Sequence, residues 1–492
     1  MNKTVYLMLK ITSIIMIRQF LFVLLFVVCA FSLGAKVQLP AIFSDGMVMQ
    51  QSEQVKIWGK AKANASVEIR CSWDNQPIQV RSNANGEWKA SFKTPSGSYQ
   101  LQQITISDGD VLTLKNVLIG EVWLCAGQSN IEMPVRGFQN SPIEGASDLV
   151  ADAGLYKGKI REIKVKKSLA TTTKDDCPGD WKESVPENVP LFTALGYSFA
   201  IALQKVLDVP VGIINCTYGG TDIECWISED ITAKYTDISK EKGNAKYHSA
   251  NISEVYNSMV HPIKSYTIRG TIWFQGENNV NRFQTYQDRL TDLICMWRTK
   301  WEQPDMPFYL IEIAPYRFKQ DDKAAYLREM QFKVSQTLPN VQYVGTNDMI
   351  EPFEVNQVHP MKKIGIGKRT AWLALDKTYQ RDCFFGECPS YKAMRVEGDR
   401  VILSFNAAKA GFNLFEGMVG FEVAGEDRVF YPATARIVGT MHLSEIELFS
   451  RDVKNPVAVR YCFHDFMLGN VTNVWGKPLI PVRTDNWEYP RK

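Results

Sequence analysis

The chain has little net charge. Its 56 basic and 53 acidic residues leave a formal +3 over 492 residues, so there is no electrostatic case for a nucleic-acid partner. Histidine is scarce, five in all, and every candidate for a general base can be weighed in turn. No pair of close cysteines faces another such pair, which removes the case for a zinc site. Internal repeats and low-complexity tracts are absent, so folding units must be sought in changes of rhythm along the chain. A second long apolar run is also missing. The one present, residues 20–35, follows Lys3, Lys10 and Arg18 and ends in Ser32, Gly34 and Ala35, the layout of a cleaved export signal. Polar, β-like sequence starts at Lys36 with no basic stop-transfer cluster, which argues against a spanning helix. Val28 before Cys29 is not small, so a lipoprotein anchor is not expected. Residues 1–35 therefore read as a signal peptide and the protein as secreted or periplasmic, with no membrane contact once the signal is removed. Nine cysteines then remain, an odd number that leaves at least one free thiol. Cys383 and Cys388, in "CFFGEC", form the easiest local disulfide to imagine.

What is present supports sizeable cores. Hydrophobic residues make up 45% of a chain too long for one small domain, and two or three domains are expected. Twelve tryptophans and nineteen tyrosines hint at sugar-facing surfaces, although core packing accounts for most of them. Residues 36–117 alternate apolar and polar positions, as in "QVKIWGKA" and "SVEIRCSW", and Asn85-Gly86 predicts a hairpin turn. This stretch reads as an N-terminal β-sandwich. From 118 to 380 strands alternate with helices. "VLIGEVWLC", "PVGIINC", "RGTIWFQ", "PFYLIEIAP" and "VQYVGTND" are predicted strands. Leu195, Phe199, Leu203 and Val206 form one helical face, and Tyr286, Leu290, Leu293, Trp297 and Trp301 another. Two further helices are expected, over "AAYLREMQFKVSQTL" and "KKIGIGKRTAWLAL". That alternation predicts a parallel sheet covered on both faces, with ligands at the carboxyl ends of its strands. The polar, proline-bearing segment 138–192 reads mostly as loop, a lid or a substrate-binding insertion. Residues 381–492 return to β, with a Gly-Asp turn in "RVEGDRVILSF".

Every loop that carries chemistry follows one of these strands: Gly127-Gln128-Ser129-Asn130, then "TYGGTDIECW", then "QGENN", then "VHP". Each part has an ordinary explanation. Ser129 suits a turn or helix cap, Gly219-Gly220 a turn, Glu277 a solvated loop, and His359 a helix start. Their conjunction at one sheet edge points to acyl transfer. Ser129 would supply the nucleophile and His359 the base that takes its proton. The Ser129 N–H, a glycine N–H from Gly219 or Gly220, and an amide from Gln275 or Asn279 would face the developing oxyanion. Gln128 adds a further polar group beside the substrate. His261 sits in the apolar helical stretch "VYNSMVHPI", which suits packing better than catalysis, and His248, His442 and His464 lie in a polar loop or in β regions. A pH–rate profile is expected to rise near the ordinary imidazole value of about 6.5.

"GEVWLCAGQSNIEMPV" resembles the nucleophile block of the sialate O-acetylesterase-like carbohydrate esterases, a branch of the SGNH hydrolases. "YGGTDIECWIS", "YNSMVHPIKSYTIRGTIWFQGENN" and "VHPMKKIGIGKR" resemble their later blocks, and "LPAIFSDGMVMQQ" and "PLIPVRTDNW" resemble the family's ends. The likeness covers nearly the whole mature chain. It implies a flavodoxin-like three-layer α/β/α SGNH hydrolase domain flanked by β-sandwich regions. It also implies Ser129 as nucleophile, His359 as base, no metal or cofactor, and an O-acetylated carbohydrate substrate: sialic acid esters, or plant glycans such as xylan or pectin. SGNH enzymes often place an aspartate three residues before the histidine. Here that residue is Asn356. Either a dyad works with a backbone carbonyl, or a carboxylate comes from elsewhere, with Glu277 preferred over Glu354 and Asp222. The missing aspartate also motivates another reading, a carbohydrate-binding homologue that keeps the pocket and has lost turnover. Oligomeric state is not legible in the chain.

Overall fold

The structure is a computed structural model that describes residues 36–237, 250–319, 321–413, 417–438 and 444–489. The expected export signal, Cys29, His248 and His442 lie outside the described residues.

Two compact units emerge. One comprises residues 36–39 with Trp58–Ala90 and Gln103–Thr113. In it the strand Ser66–Cys71 pairs antiparallel with Ile78–Arg81 and, on its other edge, with residues 104–107. Val67, Ile69, Ile104 and Ile106 are fully buried while their neighbours face outward, the alternation of a half-buried sheet. Asn85-Gly86 does form a turn, with Gly86 at φ +80°. The two strands it joins nevertheless go to different sheets. Ile78–Arg81 stays with Ser66–Cys71, and Glu87–Lys93 pairs with Gln54–Lys60. A turn residue closes the chain locally, but the buried side of each strand decides its partner.

The other unit comprises Pro40–Ile57, Ser91–Gln102 and the chain from Leu114 onward. Its centre is a sheet ordered Val341–Val344, Phe308–Ile311, Gly270–Phe274, Val111–Gly127, Val211–Thr217, Ile160–Lys164 and Trp181–Glu183. All neighbours are parallel except the last pair. Gly270–Phe274 and Phe308–Ile311 are buried along their whole length and almost wholly apolar, because both faces are covered. Ile272 and Phe274 join a core with Phe199 and Leu203 of the helix Ala194–Leu207 and with Leu373 and Ala374 of the helix Lys363–Lys377. From the intervening position Trp273 points the other way and meets Trp297 of the helix Phe283–Trp301 edge-on, with ring centroids 5.7 Å apart. The expected α/β/α layering is thus present, and the predicted helical faces are the buried ones.

The segment 138–192 differs from its expectation. It contains an internal strand of the central sheet, Ile160–Lys164, and the antiparallel edge strand Trp181–Glu183. Charged residues concealed the first of these. Arg161 and Glu162 are both buried, the arginine donating to the Gly46 and Asn116 carbonyls and the glutamate accepting from Thr193 N–H and Asn215. Beyond residue 390, two four-stranded antiparallel sheets enclose a core that includes Val401, Leu403, Phe421, Val423, Val459 and Tyr461. Gly398, at φ +64°, turns the hairpin between Ser390–Glu397 and Arg400–Asn406. Cys383 and Cys388 are both free thiols, contrary to the suggested bridge. Cys388 is buried, its sulfur close to Gly345, whereas Cys383 is exposed.

Candidate active site

The sheet reverses its winding at the strand Val111–Gly127. Chain that follows it builds first one side, through Ile160–Lys164 and Val211–Thr217, and then the other, from Gly270–Phe274 outward. A crevice opens where strand order reverses, at the carboxyl end, and Ser129 stands there. Gly127 explains the abrupt corner. Its φ of +133° is one that side-chain-bearing residues rarely adopt, and a Cβ would lie 2.7 Å from the Phe274 carbonyl carbon. The next residue clamps the turn: Gln128 N–H donates to the Phe274 carbonyl at 3.0 Å, and its side-chain oxygen accepts Gly276 N–H at 3.2 Å. Ser129 is left half-buried between two buried neighbours, Gln128 and Asn130.

His359 arrives from 230 residues away, and its Nε2 lies 2.8 Å from Ser129 Oγ. Its loop is held at several points. Gln357 accepts the His359 N–H at 3.2 Å and donates to the Asn140 carbonyl at 3.0 Å. Glu354 takes the Glu351 and Met361 N–H groups at 2.9 and 2.8 Å. Phe138 packs edge-on against the imidazole, centroids 5.3 Å apart. Burial, with help from the Lys363 charge and against the pull of Glu132, lowers the imidazole to about 4. The expected rise near 6.5 therefore moves to lower pH, because an imidazolium in this place is poorly solvated.

The Glu277 assignment takes a different form here. Its Oε1 accepts the Asn130 amide at 2.5 Å, so asparagine stands between this carboxylate and the histidine. His359 Nδ1 has no hydrogen-bond partner among the described residues. Glu354 serves the loop backbone, and Asp222 is paired with Arg282 at 3.2 Å. Asn356 is exposed.

The oxyanion candidates also separate. Gln275 is fully buried and donates to the Thr221 carbonyl and to Asn279 Oδ1, while accepting from Tyr286. Asn279 donates to Glu224 at 3.1 Å and accepts Ile223 N–H. Both hydrogens of the Gln275 amide are committed to scaffold bonds, whereas Asn279 spends one of its two on Glu224. Gly219 N–H is taken by Glu132 Oε2 at 2.8 Å. The N–H groups of Ser129 and Gly220 have no acceptor among the described residues. Asn278 steadies the second of these by donating to the Gly220 carbonyl at 2.9 Å.

Three residues next to this pair had no role assigned from the sequence: Asn130 and Glu132, in "GEVWLCAGQSNIEMPV", and Lys363, in "VHPMKKIGIGKR". Glu132 sits three residues after Ser129, hence on the same side of the short helix Ser129–Glu132. Its Oε1 pairs with Lys167 at 2.6 Å. His261, by contrast, packs against Tyr256 with centroids 5.9 Å apart and its ring nitrogens face Lys264.

A hydroxyl and an imidazole in contact at the switch point of a doubly wound sheet define a hydrolase-type site. The chain belongs to the family described as carbohydrate esterase, sialic acid-specific acetylesterase, whose model matches residues 119–374. It is similar to the sialate O-acetylesterase of Homo sapiens, 26% identical over 309 residues, which are 58% of this chain and 58% of that protein. The corresponding rat protein is 24% identical over 349 residues, 60% of this chain and 63% of its own length. The chain thus spans less than two thirds of the curated relatives it matches. A solved carbohydrate acetylesterase from Xanthomonas citri is similar over 92% of this chain and 100% of its own, at 29% identity and a TM-score of 0.82.

Proposed function

We propose that the protein removes O-acetyl groups from acetylated glycans, sialic acid esters among them, through a serine acyl-enzyme. The observation that carries this reading is the 2.8 Å contact between Ser129 Oγ and His359 Nε2. In the first half-reaction Nε2 takes the hydroxyl proton as the oxygen attacks the acetyl carbonyl. The N–H groups of Ser129 and Gly220 then receive the developing oxyanion. The imidazolium returns its proton to the departing sugar oxygen. Water, deprotonated by the same nitrogen, releases acetate and restores the serine. Glu132 is the carboxylate that favours the transient imidazolium, at a distance and without a hydrogen bond. The enzyme would act outside the cytoplasm, directed there by the signal peptide read over residues 1–35.

The test is hydrolysis of an aryl acetate, followed by acetate release from a panel of defined acetylated sialosides, xylans and pectins. Ser129→Ala is expected to lose at least about a thousandfold in kcat. Full activity in that variant would remove the serine mechanism. That His359 Nδ1 has no partner among the described residues favours one rival, a glycan-binding homologue without turnover. It predicts saturable binding of acetylated glycan with no acetate released at high protein concentration.

A further inference from the structure

Behind the Ser129–His359 pair lies a buried charge that the acyl-transfer steps do not use. Lys363 opens the helix Lys363–Lys377, and none of its surface reaches solvent. Its ammonium donates to Asn130 Oδ1 at 2.6 Å and lies 5.7 Å from the centre of the Phe274 ring. No carboxylate among the described residues bonds it directly. An ammonium in such surroundings is strongly disfavoured unless an opposite charge is near. That charge is reached through the asparagine, whose Nδ2 donates to Glu277 Oε1 at 2.5 Å and to the Val358 carbonyl at 3.0 Å. Glu277 is itself buried, and its other oxygen has no hydrogen-bond partner in the described structure.

The amide is therefore strung between a cation and an anion, and each end polarises the other. The placement has a consequence for the reacting groups. Asn130 follows Ser129, and Val358 precedes His359. One side chain ties the nucleophile's turn to the histidine's loop, and the two buried charges fix which way it faces.

We propose that Lys363, acting through Asn130, is a positioning residue for the Ser129–His359 pair, orienting the amide that registers the two loops and facing the imidazole as a fixed positive neighbour. This rests on the serine mechanism above. The surrounding charges agree with it. His359 faces Lys363 from the helix start and Glu132, itself paired with Lys167, from the turn after Ser129. Lys363 in turn faces Glu277 and Glu354, which oppose the burial that pulls its ammonium down to about 7. The lysine is therefore charged throughout the acid range in which His359 protonates, and there it disfavours the imidazolium.

The experiment measures kcat and kcat/KM for an aryl acetate against pH, with thermal unfolding, in Lys363→Met, Lys363→Arg and the paired Lys363→Met/Glu277→Gln. Loss of the cation is expected to move the acid limb of kcat/KM upward by about half a unit to one unit. It should lower kcat about tenfold to a hundredfold, with KM changed less than about threefold. Lys363→Arg keeps the charge and should keep the limb near the parent's. The paired variant removes both buried charges, so it should fold even where the single one does not, and it should show the same displaced limb. A parent-like limb and kcat in the methionine variants would overturn the proposal. So would failure of both to fold, which would assign Lys363 to the scaffold alone. Neither result touches the serine mechanism, which stands or falls with Ser129→Ala.

Discussion

Gly127→Ala tests whether the corner that presents Ser129 is set by the neighbouring strand. Gly127 sits between Phe274 and Thr217 in the sheet. An added Cβ would lie 2.7 Å from the Phe274 carbonyl carbon and 3.1 Å from its nitrogen, and closer still to its oxygen. Carbon atoms rest about 3.5–4.0 Å apart, so the strand end would have to retreat by roughly 1 Å. The carbonyl cannot easily turn aside, because it accepts the Gln128 N–H at 3.0 Å. Forcing alanine to φ near +133° adds about 1–3 kcal/mol of backbone strain, and the overpacking another 1–3 or so. The sum, about 2–6 kcal/mol, is a large share of a native margin of about 5–15. For a domain of this size it corresponds to a fall in Tm of about 5–20 °C. Ser129 is two residues further on, and a displacement near 1 Å costs about a hundredfold in kcat. Thermal unfolding and aryl acetate hydrolysis read both effects. Gly154→Ala is the control, since its added Cβ meets nothing within 4 Å, and it should behave as the parent. A Gly127→Ala protein with parental Tm and kcat would refute this reasoning.

Two pH experiments follow from the same structure. With His359 lowered to about 4 by burial and by Lys363, the proposed base is neutral, and so able to take a proton, from mildly acidic pH upward. The acid limb of kcat/KM should fall below about 6, and a limb at 6.5 or above would contradict the geometry. His464 behaves oppositely. Asp322 and Glu422 accept from its two ring nitrogens at 3.0 and 2.7 Å and raise it to about 10. A folded-state value above the unfolded one, about 6.5, gives stabilisation that is complete below 6.5 and is lost as pH rises through about 10. His464→Gln should therefore lower Tm most near pH 6 and progressively less toward pH 10, and a deficit independent of pH would count against the ion pairs.

Much of this molecule was legible in the amino-acid order. The five strands read from apolar runs are strands of the central sheet, and the two amphipathic faces are buried as expected, because periodicity is a local consequence of which side meets the core. Ile160–Lys164 escaped notice because a buried Arg161 and Glu162 imitate a surface segment until their partners at Gly46, Asn116, Thr193 and Asn215 are seen. The quoted motif contained Asn130 and Glu132, yet nothing in a single chain tells an asparagine that bridges two loops from one that faces water. Gln275 and Asn279 likewise carry the right functional group for an oxyanion donor. Gln275 spends both of its hydrogens on Thr221 and Asn279, and Asn279 one of its own on Glu224, a fact of packing alone.

By itself the sequence determined the strand–helix alternation, the glycine that makes the corner, and the serine and histidine blocks. These depend on neighbours a few residues apart. Only the tertiary structure decided that Ser129 and His359 meet, that Glu277 reaches Asn130 instead of the imidazole, and that Lys363 lies buried behind them. Those outcomes depend on which distant groups share a water-free space, where an unmatched charge or hydrogen bond is too costly to leave and each polar atom takes the partner that packing brings to it.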